Sequence, residues 1–289
     1  MTSIGQDIRY ALRGLRKSPG FAIVAVITLA LGIGANTAIF TVVNAVFFHP
    51  IPVHDPDRLV ALYTADQRTV LGLNNNFLPL SYPNADDIQH RVQSFSGVTM
   101  FIGAPVSMTI NGQPDRYFAQ LASGNYFDVL GVPAALGRTF RPEEDREPGA
   151  GPVIVLSHGF WERKFASDQK VIGQNVLVNG QGFTIIGVAP TGFQGTTALG
   201  GPDMWIPMSM HDQIVSGLLK TFFNERRFLG FNVVARLKDR ARQEQARAEL
   251  ATIAADLEQA FPLANKGRTF PALPFLESNI NPNQRGLFS

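Results

Sequence analysis

The hydrophobic pattern is one long unbroken apolar run near the N-terminus, followed by short apolar stretches separated by turns. Residues 21–48 contain no Asp, Glu, Lys, Arg or His. This exceeds the roughly 20 residues needed to cross about 30 Å of hydrocarbon and predicts a transmembrane helix. Upstream, Ile4, Ile8, Ala11, Leu12 and Leu15 recur at helical spacing, with Arg9, Arg13 and Arg16 off that stripe. Residues 1–20 therefore read as an amphipathic elbow helix at a membrane interface, ended by Ser18, Pro19 and Gly20. Within the span, Ala30, Gly34, Thr37, Ala38, Thr41, Asn44 and Ala45 fall on one face of the helix. Two readings of that stripe stand. Small residues are generally common in membrane helices, and they also let a partner helix approach while Thr and Asn hydrogen-bond across the contact.

The flanks set the direction. Arg9, Arg13, Arg16 and Lys17 precede the span, and Arg58 is the one cation within ten residues after it. The positive-inside rule places the N-terminus in the cytoplasm and everything from His49 onward outside it. The rival reading, a cleaved signal peptide, suffers from an apolar region that is too long and from the lack of a small-residue cleavage site at its end.

Beyond the span, 49–57 (HPIPVHDPD) is a proline-rich linker. The pattern then predicts a strand over 58–65, a helix after Ser81 with Ile88 and Val92 inward, a hairpin of 104–110 with 116–122, and a short helix over 125–130 closed by Gly131. Residues 131–226 are rich in Gly and Pro, with brief apolar runs at 153–156 and 204–206 and a hairpin signal at Asn179-Gly180. A strand over 230–237, a helix over 240–261 with Leu250, Ile253, Ala254 and Leu257 on one face, and a last strand over 269–276 follow. The expected fold class is α+β: an N-terminal transmembrane helix, then an extracytoplasmic domain over 58–289. Its pieces 58–130 and 227–280 form an α/β lobe, and 131–226 is a β-rich inserted lobe.

Composition narrows the function. The 289 residues carry 25 Lys and Arg against 23 Asp and Glu; four of the basic and one of the acidic residues lie within the first 20, leaving 21 against 22. No cationic cluster remains to displace phosphate counterions, so nucleic acid is excluded as a partner. The absence of cysteine removes disulfides, thiolate catalysis and Cys-type zinc sites. A domain of this size folds on core packing without them.

Catalytic and metal motifs are missing as well. His49, His54, His90, His158 and His211 have no ligand spacing, and Ser157-His158-Gly159 lacks a nucleophile elbow. Glu143, Glu144 and Asp145 read as a solvated loop without calcium spacing. Gly32-Ile33-Gly34 lies inside the span, and Arg16-Lys17-Ser18 has Ala11 and Arg16 where a P-loop needs glycines. No catalytic residue, cofactor site or metal site is expected, so the chain is not read as an enzyme.

Several segments taken together carry a resemblance. The N-terminal DIRYALRGLRKSPGFAIVAVITLALGIGANTAIFTVVNAVFFHPIP is followed in order by SYPNADDIQ, GNYFDVLGVPAALGRTF, VIVLSHGFWERKF, VLVNGQGFTIIGVAP and ARQEQARAELATIAADLE. In this order they resemble the MacB-type ABC transporter permeases, a family that includes FtsX-like proteins and orphan permeases of soil bacteria. The resemblance implies a bacterial inner-membrane protein whose periplasmic core domain has a porter-like lobe and an inserted lobe. It also implies a separate cytoplasmic ATPase as partner, other permease helices, membrane lipid and, in some members, a periplasmic adaptor. Family members continue with further membrane helices, and one span cannot line a solute path. The expectation is a truncated or split permease half, the alternative a single-pass anchored accessory or sensing module.

Overall fold

The computed structural model describes Arg13 and residues 19–47, 52–66, 76–110, 112–196 and 201–278; of Phe21, residues 38–47 and residues 218–219 it describes the backbone only. The chain divides into two compact units, Met1–Pro50 and Ile51–Ser289.

In the first unit, helix α1 (Pro19–Phe47) has 29 residues, with no acidic residue in its first turn and no basic residue in its last. Ile23, Val24, Val26, Ile27, Leu29, Leu31 and Ile33 are exposed. The described side chains of this helix are mostly apolar. Among the described residues no helix is long and apolar enough to cross a membrane; the side chains of 38–47, which would complete the expected span, lie outside them.

In the second unit, strands β1 (Leu59–Leu62) and β2 (Ala65–Asp66) precede helix α2 (Tyr82–Arg91). Ser81 caps α2 by accepting from the Asn84 amide at 3.3 Å, and Pro83 occupies its first turn, which is where proline suits a helix. Strands β3 (Phe95–Ile110) and β4 (Gln113–Ala122) form the long hairpin, turned through Gly112 at φ 76°. The strand begins nine residues earlier than the sequence pattern predicts, because Val98, Met100 and Phe101 are buried and its start pairs with a strand far away in sequence. Helix α3 (Tyr126–Leu130) ends on Gly131 in the left-handed region.

Next come β5 (Leu136–Gly137), β6 (Val153–Leu156), helix α4 (His158–Phe165), β7 (Asn175–Val178), β8 (Gln181–Val188) and β9 (Met204–Pro207). The β7–β8 turn is the predicted one, with Asn179 at φ 49° and Gly180 at φ 83°, the pair of positive values that a two-residue hairpin loop demands. Strand β10 (Asn232–Leu237) leads to helix α5 (Gln243–Ala260), then β11 (Arg268–Thr269), β12 (Ala272–Pro274) and the one-turn α6 (Phe275–Ser278). Ala246, Leu250, Ile253, Ala254 and Leu257 line the buried face of α5, and Pro262 stops it by disfavouring helical φ/ψ at Phe261.

Ten strands join in one sheet of order β12-β1-β10-β3-β4-β9-β6-β8-β5, while β7 pairs with both β8 and β3. The pairings β3–β4, β4–β9, β9–β6, β6–β8, β8–β7 and β7–β3 therefore return to their start. Six strands close a small barrel, filled by side chains such as Met108, Leu121, Ile154, Val178, Phe183 and Ile206. Strands from 131–226 thus build no separate sheet; they close upon β3 and β4.

Two cores lie on opposite faces. One includes the barrel interior and the inner faces of α2 and α5. The other is aromatic, with Tyr126, Phe127, Phe140, Phe193 and Trp205 packed together, Phe127 and Trp205 at 5.5 Å between centroids. The Trp205 indole N–H donates to Gln120 Oε1 at 2.8 Å, satisfying two polar groups that burial would otherwise penalise. The acidic run departs from the solvated-loop reading. Glu144 pairs with Arg138 at 2.5 Å, and Asp145 accepts from the Gly124 and Ser209 amides at 2.7 and 2.6 Å, burial pushing its carboxyl above the ordinary value.

Candidate functional site at the anchored linker

The strongest concentration of specific polar contacts around the start of the domain fastens residues 53–58, the segment that follows α1 in sequence, to the sheet. β1 and β10 pair antiparallel with Leu59 opposite Arg236. Alternation along β10 puts Arg236 on the same face of the sheet as Val234, which packs in the aromatic core beside α3. From there its Nε donates to the Val129 carbonyl at 2.6 Å, Nη2 to the His54 carbonyl at 2.6 Å and Nη1 to the Asp55 carbonyl at 3.4 Å. One planar guanidinium thus ties the linker to the end of α3.

A second arginine works from the linker side. Arg58 donates through Nε and Nη2 to the Leu237 carbonyl at 3.2 and 2.7 Å, and its Nη1 lies 2.6 Å from Asp239. Asp239 is largely exposed, so that ion pair contributes little beside the backbone contacts. Burial, and after it the charge of Arg58, lowers the pKa of Arg236, with Asp55 acting in the opposite sense; a guanidinium remains charged regardless.

Backbone geometry completes the joint. The His54 amide donates to the Leu130 carbonyl at 3.0 Å. Gly131 has φ 66°, and a Cβ there would lie 2.4 Å from His54 Cβ, so both conformation and space require glycine. Val53 packs against the aromatic core. Close by in the fold, the Lys238 amide donates to the Ser94 carbonyl, while Glu249 of α5 accepts from the Gln93 and Ser94 amides at 2.8 and 3.0 Å and from the Ser94 hydroxyl at 2.5 Å. Burial works to raise the Glu249 pKa, but these donors outweigh it and hold the carboxyl below its ordinary value.

Two arginine forks, a hydrogen bond from the His54 amide to the Leu130 carbonyl and a glycine contact pin the linker to β10 and α3. Among the described residues no group of three or more His, Asp or Glu is placed to hold a metal.

The chain matches the MacB-like periplasmic core domain over residues 22–253. It belongs to that family. The fold agrees with the periplasmic region of MacB from Actinobacillus actinomycetemcomitans at TM-score 0.54 and 16% identity, over 78% of this chain and 93% of that one. It also resembles a domain of a protein described as a permease from Porphyromonas gingivalis, at 0.56 and 17%, over 77% and 91%. A third likeness is the extracellular domain of the noncanonic ABC-type transporter YknZ from Gram-positive bacteria, at 0.51 and 16%, over 74% and 99%. No curated protein matches the chain. This MacB-like chain therefore carries a mixed α+β extracytoplasmic core domain of the MacB/FtsX permease type, as its motifs suggest.

The residues singled out from sequence lie elsewhere. Ala30, Gly34 and Thr37 are on α1; open space surrounds the Cβ position of Gly34, and the Thr37 hydroxyl donates to the Ile33 carbonyl at 2.8 Å. The side chains of Ala38, Thr41, Asn44 and Ala45 lie outside the described residues, as do Arg9, Arg16 and Lys17, while Arg13 is helical and exposed. Sequence reasoning noticed Arg58 only as a lone cation and Gly131 only as a helix stop. Arg236 gave no signal except a charge within a mostly apolar strand.

Proposed function

We propose that the chain is a membrane-embedded permease component of an ABC-type transporter. In this reading 21–48 crosses the membrane, Arg9, Arg13, Arg16 and Lys17 lie on the cytoplasmic side, and the extracytoplasmic domain relays movement driven by an ATPase on a separate chain or domain. The observation that carries the reading is the anchored linker. A relay needs the segment that follows the helix in sequence to be fixed to the domain, and the Arg236 and Arg58 forks fix residues 53–58 within it. The exposed apolar side chains of α1 add support, because such a surface suits lipid tails or neighbouring helices. Lipid, further permease helices, the ATPase and a periplasmic adaptor are the partners it implies. The chain itself performs no catalysis in this reading, since it lacks the glycines of a P-loop.

Two measurements on the full chain in intact cells test it. A cysteine replacing Ser3 stays protected from an impermeant thiol reagent, and one replacing Ser278 is labelled; the reverse pattern overturns the orientation. The tagged chain purified from its own membranes brings an ATPase whose turnover responds to Arg236→Ala. A chain that purifies without an ATPase points instead to a single-pass anchored accessory or sensing module.

A further inference from the structure

Along one edge of β3 the strand pairing is interrupted where it passes from the open sheet into the barrel, while β4 pairs along the other edge. β10 last meets it at Phe101 and β7 first meets it at Met108. A cleft of about 140 Å³ opens beside this gap. Its walls include Ala104 of β3, Val215, and the rings of Phe222, Phe228 and Phe231; Ser216 supplies a hydroxyl at the exposed rim.

Three features distinguish this cleft from a packing defect. Phe222 and Phe228 are only partly buried and stack on each other at 4.1 Å and 10°, so part of an aromatic pair stays exposed to water at the mouth. Gly230 keeps the arrangement open, because a Cβ there would lie 2.3 Å from the Phe228 ring. Phe231 stands behind both rings, buried, 5.0 Å from Phe223, so the back wall cannot readily move in. Among the described residues no charged side chain lines the cleft. Its volume is close to that of the dry apolar cavity of roughly 150 Å³ that accepts benzene.

We propose that this cleft binds a small, uncharged, single-ring organic molecule, with the ring against Phe222 and Phe228 and a polar substituent directed outward at Ser216. The inference does not depend on the transport reading, because it rests only on the volume and chemistry of the cleft.

The test uses the full chain in lipid nanodiscs with 4-fluorophenol as probe, followed by fluorine NMR line broadening, with empty nanodiscs subtracted and phenol as competitor. The expected result is saturable, competable binding that weakens about ten-fold or more in Ala104→Leu, which fills the floor, and in Val215→Trp, which fills the half-buried rim. Leu177→Trp, on an exposed position of β7, leaves it unchanged. The two filling variants lie on different segments of the lining, so a folding failure of one, visible by circular dichroism, leaves the other decisive. Binding no greater than to empty nanodiscs, or equal affinity in all variants, overturns the proposal. So does a photo-crosslinker at Val215 that joins two copies of the chain in place of a wild-type response to the probe.

Discussion

Replacing Arg236 by alanine should free the linker while leaving the domain folded. The substitution removes two charge-assisted hydrogen bonds of 2.6 Å, to the carbonyls of Val129 and His54. A bond of this kind contributes about 1.5–3 kcal/mol net. His54 is exposed, so water takes over its carbonyl, and the joint loss falls to about 2–3 kcal/mol, or roughly 30- to 150-fold in a local opening equilibrium. The reporter is hydrogen exchange at the His54 amide, which donates to Leu130, and at the Arg58 amide, which donates to Asp55. Both should exchange faster by that factor, while amides within β3 and β4 keep their protection. Arg236→Lys should fall between, because an ammonium cannot hold two carbonyls in a fixed fork. Unchanged exchange at His54, or a uniform loss of protection across the sheet, would refute the idea that Arg236 acts on the joint.

Three further outcomes are expected. Gly131→Ala should lower the melting temperature and release the linker, because it meets both a positive φ and a 2.4 Å contact with His54; Gly112→Ala, with φ 76° and open space, should lose only the conformational part of about 1–2 kcal/mol. Glu249→Gln should flatten the acid end of the stability profile: the folded pKa lies below 4.5, so the contribution of Glu249 is complete above that value and lost as pH falls through the folded one. Urea midpoints taken between about pH 6 and pH 3 that are equally steep in variant and parent would contradict this. In α1, Gly34→Leu with Ala38→Leu should abolish crosslinking to a partner permease segment without affecting insertion, whereas Ile33→Leu with Ile39→Leu should not; identical behaviour would make the helix a plain anchor.

Local signals carried the elements they should. Ser81 before Pro83, Asn179-Gly180 and the spacing of Leu250, Ile253 and Leu257 each fix a cap, a turn or a face within a few residues, and each is found where the pattern puts it. The expected strand over 58–65 divides instead, because Arg58 belongs to a turn and Thr64 pairs with Leu78. The joint was illegible for a related reason. Arg236 and His54 are 182 positions apart, and nothing in the local pattern around either names the other. Asp145 was misread because its partners, Gly124 and Ser209, are backbone amides, which leave no trace in a side-chain pattern.

The fold explains how a movement applied at the linker would be carried. Arg236 lies on β10, and β10 pairs along β3 from Phe95 to Phe101. β3 runs 16 residues, about 50 Å at 3.3 Å per residue, and its far half is built into the barrel through β4 and β7. A closed barrel has no free edge along which neighbouring strands can slip, so a displacement of β3 moves the ring as a body. The least supported place on that line is the interval between Phe101 and Ser107, where strand pairing on one edge lapses between β10 and the Asn179 contacts to Ser107, and β4 pairs along the other edge. A bend of the domain should therefore concentrate there, beside the cleft walled by Phe222 and Phe228, and a ring wedged into that cleft should resist it.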